Sequence, residues 1–493
     1  MKKYIVTNKS CLKKKYLNDF ATIQAAFTPL IVADQKAGIT TTVVYMDDDA
    51  QMSSLKATSI KSPTDEKQTK EAIDSLFVNQ NPDFMTIFGA SDVVTFQYLT
   101  NPTTDSDMSV PSDLPYACSA GYSKSINSFL APSRDITRLP DMEGGTDSTY
   151  PLRILANAAN LLRRQAQEYK NSYFAVTAAV WQGSTTITLN HIFGNTANMN
   201  VSPPAGPKWS NAQIQSLSHF FNLHGGSNNP SFYNDDGTNK KPCISSKDFN
   251  GITENMVIAA ECCYGAQLYN PNSNPMGICS SAMYAGCMGY FGSTCIAYGA
   301  SNSQSSADII TEKFYLHLLD GKTVGQAALS ARLDFIIAAS MAVPSALKTL
   351  GEFVVYGTGG FAPMIKKTTT IRDTLEQQGF KFAPENLKDA NAKTASALEG
   401  MIETGKLLTD KEPPEIVKNV IDAIVQQTKP DSYSVSCNQV IPGANSKQAD
   451  ADQVFIYTVL STIKDEDLGD SYVMHHIKAT NEHIIDVFEE HSK

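Results

Sequence analysis

No apolar run in this sequence approaches the roughly 18 residues that cross a bilayer as a helix, so a membrane-spanning chain is not expected. The start, MKKYIVTNKSCLKKK, is basic, but no apolar stretch of signal-peptide length or small-residue cleavage site follows it, and a cytoplasmic protein is expected. Positive charge is in short supply. Forty Lys and Arg stand against 50 Asp and Glu, and a net charge of −10 argues against nucleic acid or an anionic membrane as partner. The longest basic run, Lys13 to Lys15, reads as a solvated helix start. Cys279, Cys287 and Cys295 follow one another closely, but without a CxxC or HxxxH pair they lack zinc spacing, and no metal site is assigned. Nine cysteines, an odd number scattered through apolar segments, read as reduced thiols and not as a disulfide framework.

What the sequence does contain is a pair of short apolar runs, each ending in a chemically competent residue. HFFNLHGG ends at His224, and NMVIAAECCYG ends at Cys262 and Cys263. An apolar run closed by glycine predicts a buried strand of a parallel sheet that delivers its last residue to the carboxyl edge, where open α/β sheets bind ligands. Two such edges would bring an imidazole beside a thiol. A thiol is mostly protonated at neutral pH, so His224 is expected as base and Cys262 as nucleophile, with Cys263 as the alternative. Gly225 has no Cβ, and its backbone NH is expected to share in stabilising an oxyanion.

This pattern resembles the caspase-fold cysteine peptidases, and the gingipain family fits best. YIVTNK, TTTVVYM, PDFMTIFGASDVVTF, DITRLP and EFVVYGTGGFAPM fall in the order that family uses, so the resemblance covers residues 4 to 365. Counting back from Gly265 in the family pattern of Cys, two residues, Gly selects Cys262. Glu261 departs from the family, which carries Ala there. The resemblance implies a cysteine endopeptidase that acts on a protein or peptide substrate through a thioester and requires no cofactor, with room for a structural calcium ion.

Taken in order, the chain alternates strand and helix as a parallel doubly wound sheet does. Strands are expected at Tyr4 to Thr7, Thr40 to Met46 and Phe84 to Phe88. Helical spacing covers Tyr16 to Lys36, with Pro29 interrupting its later half, and Thr64 to Asn79. A helix over Tyr150 to Tyr169 closes residues 1–170 as an N-terminal α/β subdomain. Residues 171–365 form the catalytic subdomain, and 366–493 an accessory α+β domain that could carry a regulatory partner. That last stretch reads as helices at Ile371 to Gln378, Pro384 to Glu403 and Pro414 to Gln427, then alternating strands.

For the substrate pocket the resemblance points to Gln182, at the end of strand Tyr173 to Val180, and to Gln304, Ser305, Ser306 and Asp308. Ser306 reads first as the N-cap of the helix that follows. No acid stands at the strand end where the Arg-specific gingipains carry one, which argues against a basic acyl-side residue. The loop from Asn228 to Asn250 is polar and turn-rich, with Lys240 and Lys241 as conceivable self-cleavage points. A non-catalytic scaffold is the rival reading, because a carboxylate at Glu261 would raise the pKa of a neighbouring thiol.

Overall fold

A computed structural model describes residues 1–252, 255–271, 276–366, 387–399, 401–444, 453–465 and 468–493. The first half supplies four strands to the main sheet, β1 (Lys2–Thr7), β2 (Thr40–Tyr45), β3 (Phe84–Phe88) and β4 (Ile136–Leu139). All pair in parallel, and every residue of β3 is buried, as a strand covered by helices on both faces requires. Helix α1 (Phe20–Lys36) runs straight through Pro29: Phe27 and Leu30 on either side of it are buried, and their packing outweighs the lost backbone donor. Helix α2 (Glu66–Gln80) begins at an Asp65 cap and not at Thr64.

The second half adds β5 (Tyr173–Ala178), β6 (Met199–Ser202), β7 (Ser218–Asn222), the short β8 (His224–Gly225), a hairpin of β9 (Ser231–Asp235) and β10 (Lys240–Ser245), then β11 (Val257–Ala260), β12 (Gly289–Ser293), β13 (Tyr298–Gly299) and β14 (Phe353–Gly357). One sheet of ten strands, in the order β2-β1-β3-β4-β14-β12-β11-β7-β5-β6, passes through both halves. Only β14 runs against its neighbour β12; the other ladders are parallel. The halves meet at β4 and β14, where Tyr356 pairs with Arg138. Arg138 is fully buried and forms two bonds to Asp113, at 2.6 and 2.9 Å. Asp113 therefore serves this seam. Asp141 meets Lys15 at 2.8 Å within the first half.

The expected helix over Tyr150 to Tyr169 is divided. Helix α3 (Thr149–Ala159) ends early, because Arg163 donates to the Ala362 carbonyl and Arg164 pairs with Met364 as an extended segment. Most of polar residues 228–250 is the β9–β10 hairpin instead of a loop, with Lys240 tied to Asp465 at 2.6 Å. Helix α4 (Gln182–Phe193), helix α5 (Ser306–Leu319) and helix α6 (Val324–Ala338) cover the second half.

The last stretch is a second sheet. Strands β15 (Thr404–Leu408), β16 (Ser432–Ile441), β17 (Phe455–Ile463), β18 (Ser471–Ala479) and β19 (Ile484–Ser492) pair antiparallel, and helix α7 (Glu415–Thr428) packs Val417, Ile421 and Ile424 against β17 and β18. This agrees with the α+β expectation; the helix expected at Ile371 to Gln378 lies outside the described residues. The sixth strand of this sheet is β13, which lies in the second half of the chain but outside the ten-stranded sheet. Hydrogen bonds between β13 and β19 thus tie the C-terminal sheet to the second half. Among the described residues no helix is long and apolar enough to cross a membrane.

Candidate functional site

Strands β7 and β11 lie side by side in parallel, Phe221 opposite Ala260, so the residues just beyond them meet at one edge. Beyond β7 the chain reaches His224 and Gly225. Beyond β11 it reaches Glu261, Cys262 and Cys263. The approach is closest at Gly225: a Cβ built there would fall 1.8 Å from the Cys263 carbonyl oxygen and 3.4 Å from Cys262 Cβ. Only glycine lets these two loops touch. Tyr264 completes the turn in the left-handed region at φ 54°, its hydroxyl donating to Asp107 at 2.8 Å and its NH to the Cys295 carbonyl at 2.8 Å.

Past the end of β11, in the turn completed by Tyr264, three successive side chains take three directions. Cys262 is fully buried, with its sulfur 3.8 Å from the Phe221 carbonyl oxygen inside the core. Cys263 turns toward β13, where its sulfur accepts from the Ala297 NH at 3.3 Å. Glu261 turns toward α5, and its carboxylate accepts from Thr311 Oγ1 at 2.9 Å. Burial pushes the Cys262 thiol well up and the Cys263 thiol up to about 12.

His224 is held from two sides. Its Nε2 stands 2.8 Å from Asp235 Oδ2, and its ring lies 4.4 Å from the Trp181 ring. Burial lowers its pKa, while the bond to Asp235 works the other way. Burial also opposes ionisation of Asp235, but the bond from His224 brings that carboxyl below its ordinary value. Asp235 sits on β9, eleven residues beyond His224, in a segment that reads as loop from sequence. A cavity of about 940 Å³ opens on this face, lined by Trp181, His224, Tyr233, Asp235 and Tyr472.

The edge is occupied by the chain itself. Strand β19 pairs antiparallel with β13, Ser492 opposite Tyr298, and Lys493 continues the pairing by donating its NH to the Ala297 carbonyl at 3.0 Å. The Lys493 carbonyl oxygen accepts from the Cys263 NH at 2.6 Å. Its ammonium is fully buried, 2.7 Å from Asp308 Oδ1, 3.3 Å from Glu261 Oε2 and 5.1 Å from the Trp181 ring centroid. Burial works against this charge, yet Asp308 and Glu261 hold the lysine pKa above its ordinary value. Burial and Asp308 push the Glu261 carboxyl up, against the pull of the Lys493 ammonium.

Of the residues expected to line a pocket, Asp308 stands against the Lys493 ammonium. Gln182 is exposed on the first turn of α4. Gln304 is turned away, its amide donating to Thr188 at 3.0 Å and to Glu312 at 2.5 Å. The Ser305 NH donates to Asp308 at 3.2 Å at the start of α5, so the cap lies one residue before Ser306. Ser306 Oγ donates to Glu490 at 2.6 Å. The acids that meet the Lys493 ammonium are Glu261 and Asp308, and neither stands at the end of β5. Cys279, Cys287 and Cys295 bond to the Gln267 carbonyl, the Gly289 carbonyl and Glu352, three separate partners. Among the described residues no group of three or more His, Cys, Asp and Glu could hold a metal ion.

No protein-family model and no curated protein matches the sequence. Among solved structures, the fold is similar to the complex of the Porphyromonas gingivalis RgpB pro- and mature domains, with a TM-score of 0.50 and 11% identity over 99% of both chains. A structure described as a protease has a TM-score of 0.49 and 10% identity over 99% of this chain and 96% of the other. At such identities the likeness is one of fold: a mixed α/β architecture with a large, mostly parallel sheet, as in the gingipain complex.

Proposed function

We propose that the edge where β7 and β11 meet is the active site of a cysteine endopeptidase, with Cys263 as nucleophile, His224 as proton carrier and Asp235 as its positioning residue. The observation that carries this reading is the bond from the Cys263 NH to the Lys493 carbonyl oxygen, 2.6 Å long. A main-chain oxygen lies against a backbone donor next to a thiol, and an imidazole stands across the Gly225 contact. Cys262, the residue selected by counting back from Gly265, points its sulfur into the core. The geometry favours the alternative, Cys263.

In the reaction the Cys263 sulfur adds to the scissile carbonyl carbon, and the thiol proton passes to His224. The Cys263 NH, with the Gly225 NH as second donor, stabilises the negative oxygen. Collapse breaks the C–N bond as His224 protonates the leaving amine, and a water deprotonated by His224 then hydrolyses the thioester. Asp235 fixes the ring so that one nitrogen is left for these transfers. A thiol raised by burial needs that base, because few thiolates form unaided.

The scaffold reading rested on Glu261. That carboxylate is taken up by Thr311 and Lys493, which supports the peptidase. The test is cleavage of a peptide library with every acyl-side residue represented, by the wild type and by Cys263→Ala, Cys262→Ala and His224→Ala. Activity retained only in the wild type and Cys262→Ala is the expected result. Activity retained in Cys263→Ala but lost in Cys262→Ala would exchange the roles of the two cysteines, and no cleavage by any form would favour the scaffold.

A further inference from the structure

We propose that residues 491–493 are a built-in ligand of this cleft, bound as the acyl side of a lysyl peptide, and that the cleft they fill is selective for a lysine side chain. The proposal rests on the peptidase reading of the cleft but needs no turnover to be tested.

An extended peptide that adds to a sheet edge gains main-chain bonds regardless of sequence, and pockets for its side chains supply selectivity. Here His491 and Ser492 pair with Gly299 and Tyr298, the Lys493 NH donates to Ala297, and the Lys493 carbonyl accepts from Cys263. Those are the contacts a substrate strand makes when its carbonyl is presented to a thiol.

The side chain fits as a ligand in a made pocket. An isolated buried ammonium costs several kcal/mol, so a lysine at no exposure is held only where charge awaits it. Glu261 and Asp308 supply that charge, and the Trp181 ring covers one side at a distance where a cation is attracted to the ring. Gly299 opens the floor: a Cβ there would fall 2.2 Å from Lys493 Cε. With carboxylates 2.7 and 3.3 Å from one nitrogen, the larger planar guanidinium of arginine would have to displace one of them.

The rest of the C-terminal sheet holds the ligand in place. Glu490, one residue before His491, is buried and bonded to Ser306, Ser345 and His476, and Leu460, Tyr472 and Met474 pack against Cys263, Ile296 and Tyr298. The tether makes binding intramolecular, so the cleft is filled without high intrinsic affinity.

The test follows alkylation of Cys263 by iodoacetamide in the full chain, read by peptide mass spectrometry against half-buried Cys11. Lys493→Glu should raise the Cys263 rate about tenfold or more, as expected when a tethered ligand is lost. Adding the free peptide acetyl-EEHSK to that variant should restore protection; acetyl-EEHSE should not, and acetyl-EEHSR should do so less well. Lys493→Met, which keeps the apolar stem, should behave like Lys493→Glu. The proposal is overturned if Cys263 reacts no faster in either variant, or if the three peptides protect alike. It is equally overturned if buried Cys118 is exposed together with Cys263 in both variants, since Lys493 would then be holding the fold together and not filling a cleft. A chain that passes without cleaving any peptide is a lysyl-peptide-binding scaffold; a chain that cleaves but fails keeps its dyad and loses this occupant.

Discussion

At the scale of single residues, the two adjacent cysteines point into different surroundings in the turn past β11, Cys262 into the core and Cys263 toward β13. Cys263→Ala should lower turnover by about 10³-fold or more, whereas Cys262→Ala should keep most activity and lose about 1–2 kcal/mol of stability through lost core packing. Initial rates and thermal melts on the same preparations check both. Asp235→Asn should lower kcat by on the order of 10²-fold with little change in KM. The sign of its pH effect follows from the bond it removes. Asp235 raises the His224 pKa against burial, so the variant's His224 should titrate at lower pH and the acidic limb of its pH–rate profile should move down. A profile that moves up, or not at all, would remove Asp235 from its role.

His224 and Gly225 are legible in the sequence because a short apolar run closed by HisGly has few other uses. The choice between Cys262 and Cys263 is not, since it depends on which face of the turn each side chain takes once Tyr264 adopts its left-handed backbone. Asp235 is hidden in a polar segment whose turn residues mask a hairpin. Lys493 is hidden by distance: it lies 232 residues from Glu261 in sequence, and no local pattern links them.

At the scale of elements, the docking of β19 onto the second half depends on one buried carboxylate. Burial opposes ionisation of Glu490, but His476, with Ser306 and Ser345, brings its pKa down to about 2 from an ordinary 4.5. A depressed carboxyl pKa contributes stability that is complete above its unfolded value and is lost as pH falls through its folded one. At 1.36 kcal/mol per unit this is on the order of 3 kcal/mol, lost between about pH 4.5 and pH 2. Urea melts across that window should show the wild type losing this increment relative to Glu490→Gln, which has no such carboxyl to titrate. Parallel traces for the two would contradict it. Strand and helix positions around this contact were readable from periodicity; the recruitment of β13 into the C-terminal sheet was not, because two residues carry no periodic signal.

At the scale of the whole molecule, a single sheet crosses both N-terminal stretches, although each reads in sequence as a parallel unit of its own. The reason lies in β14, which returns from residue 353 to lie between β4 and β12. Strand order of that kind is not written in any local pattern. The seam is held by fully buried Arg138 on Asp113. Arg138→Ala should cost about 3–5 kcal/mol in a urea titration, because it strands a buried carboxylate, while Arg138→Ala/Asp113→Ala should recover part of that loss.

The register of β19 carries a consequence for time. Its ladder with β18 ends at His491 opposite Val473, while Ser492 and Lys493 lie past that rung. The tip can therefore peel away while the strand behind it stays paired, at the cost of a few bonds and not of a domain. Opening would then be a small, local event, and the latency before a site becomes available would be set by rupture of the Lys493 ion pairs at that strand end. Amide exchange at Ser492 and Lys493 that outpaces exchange at Val487 would show it.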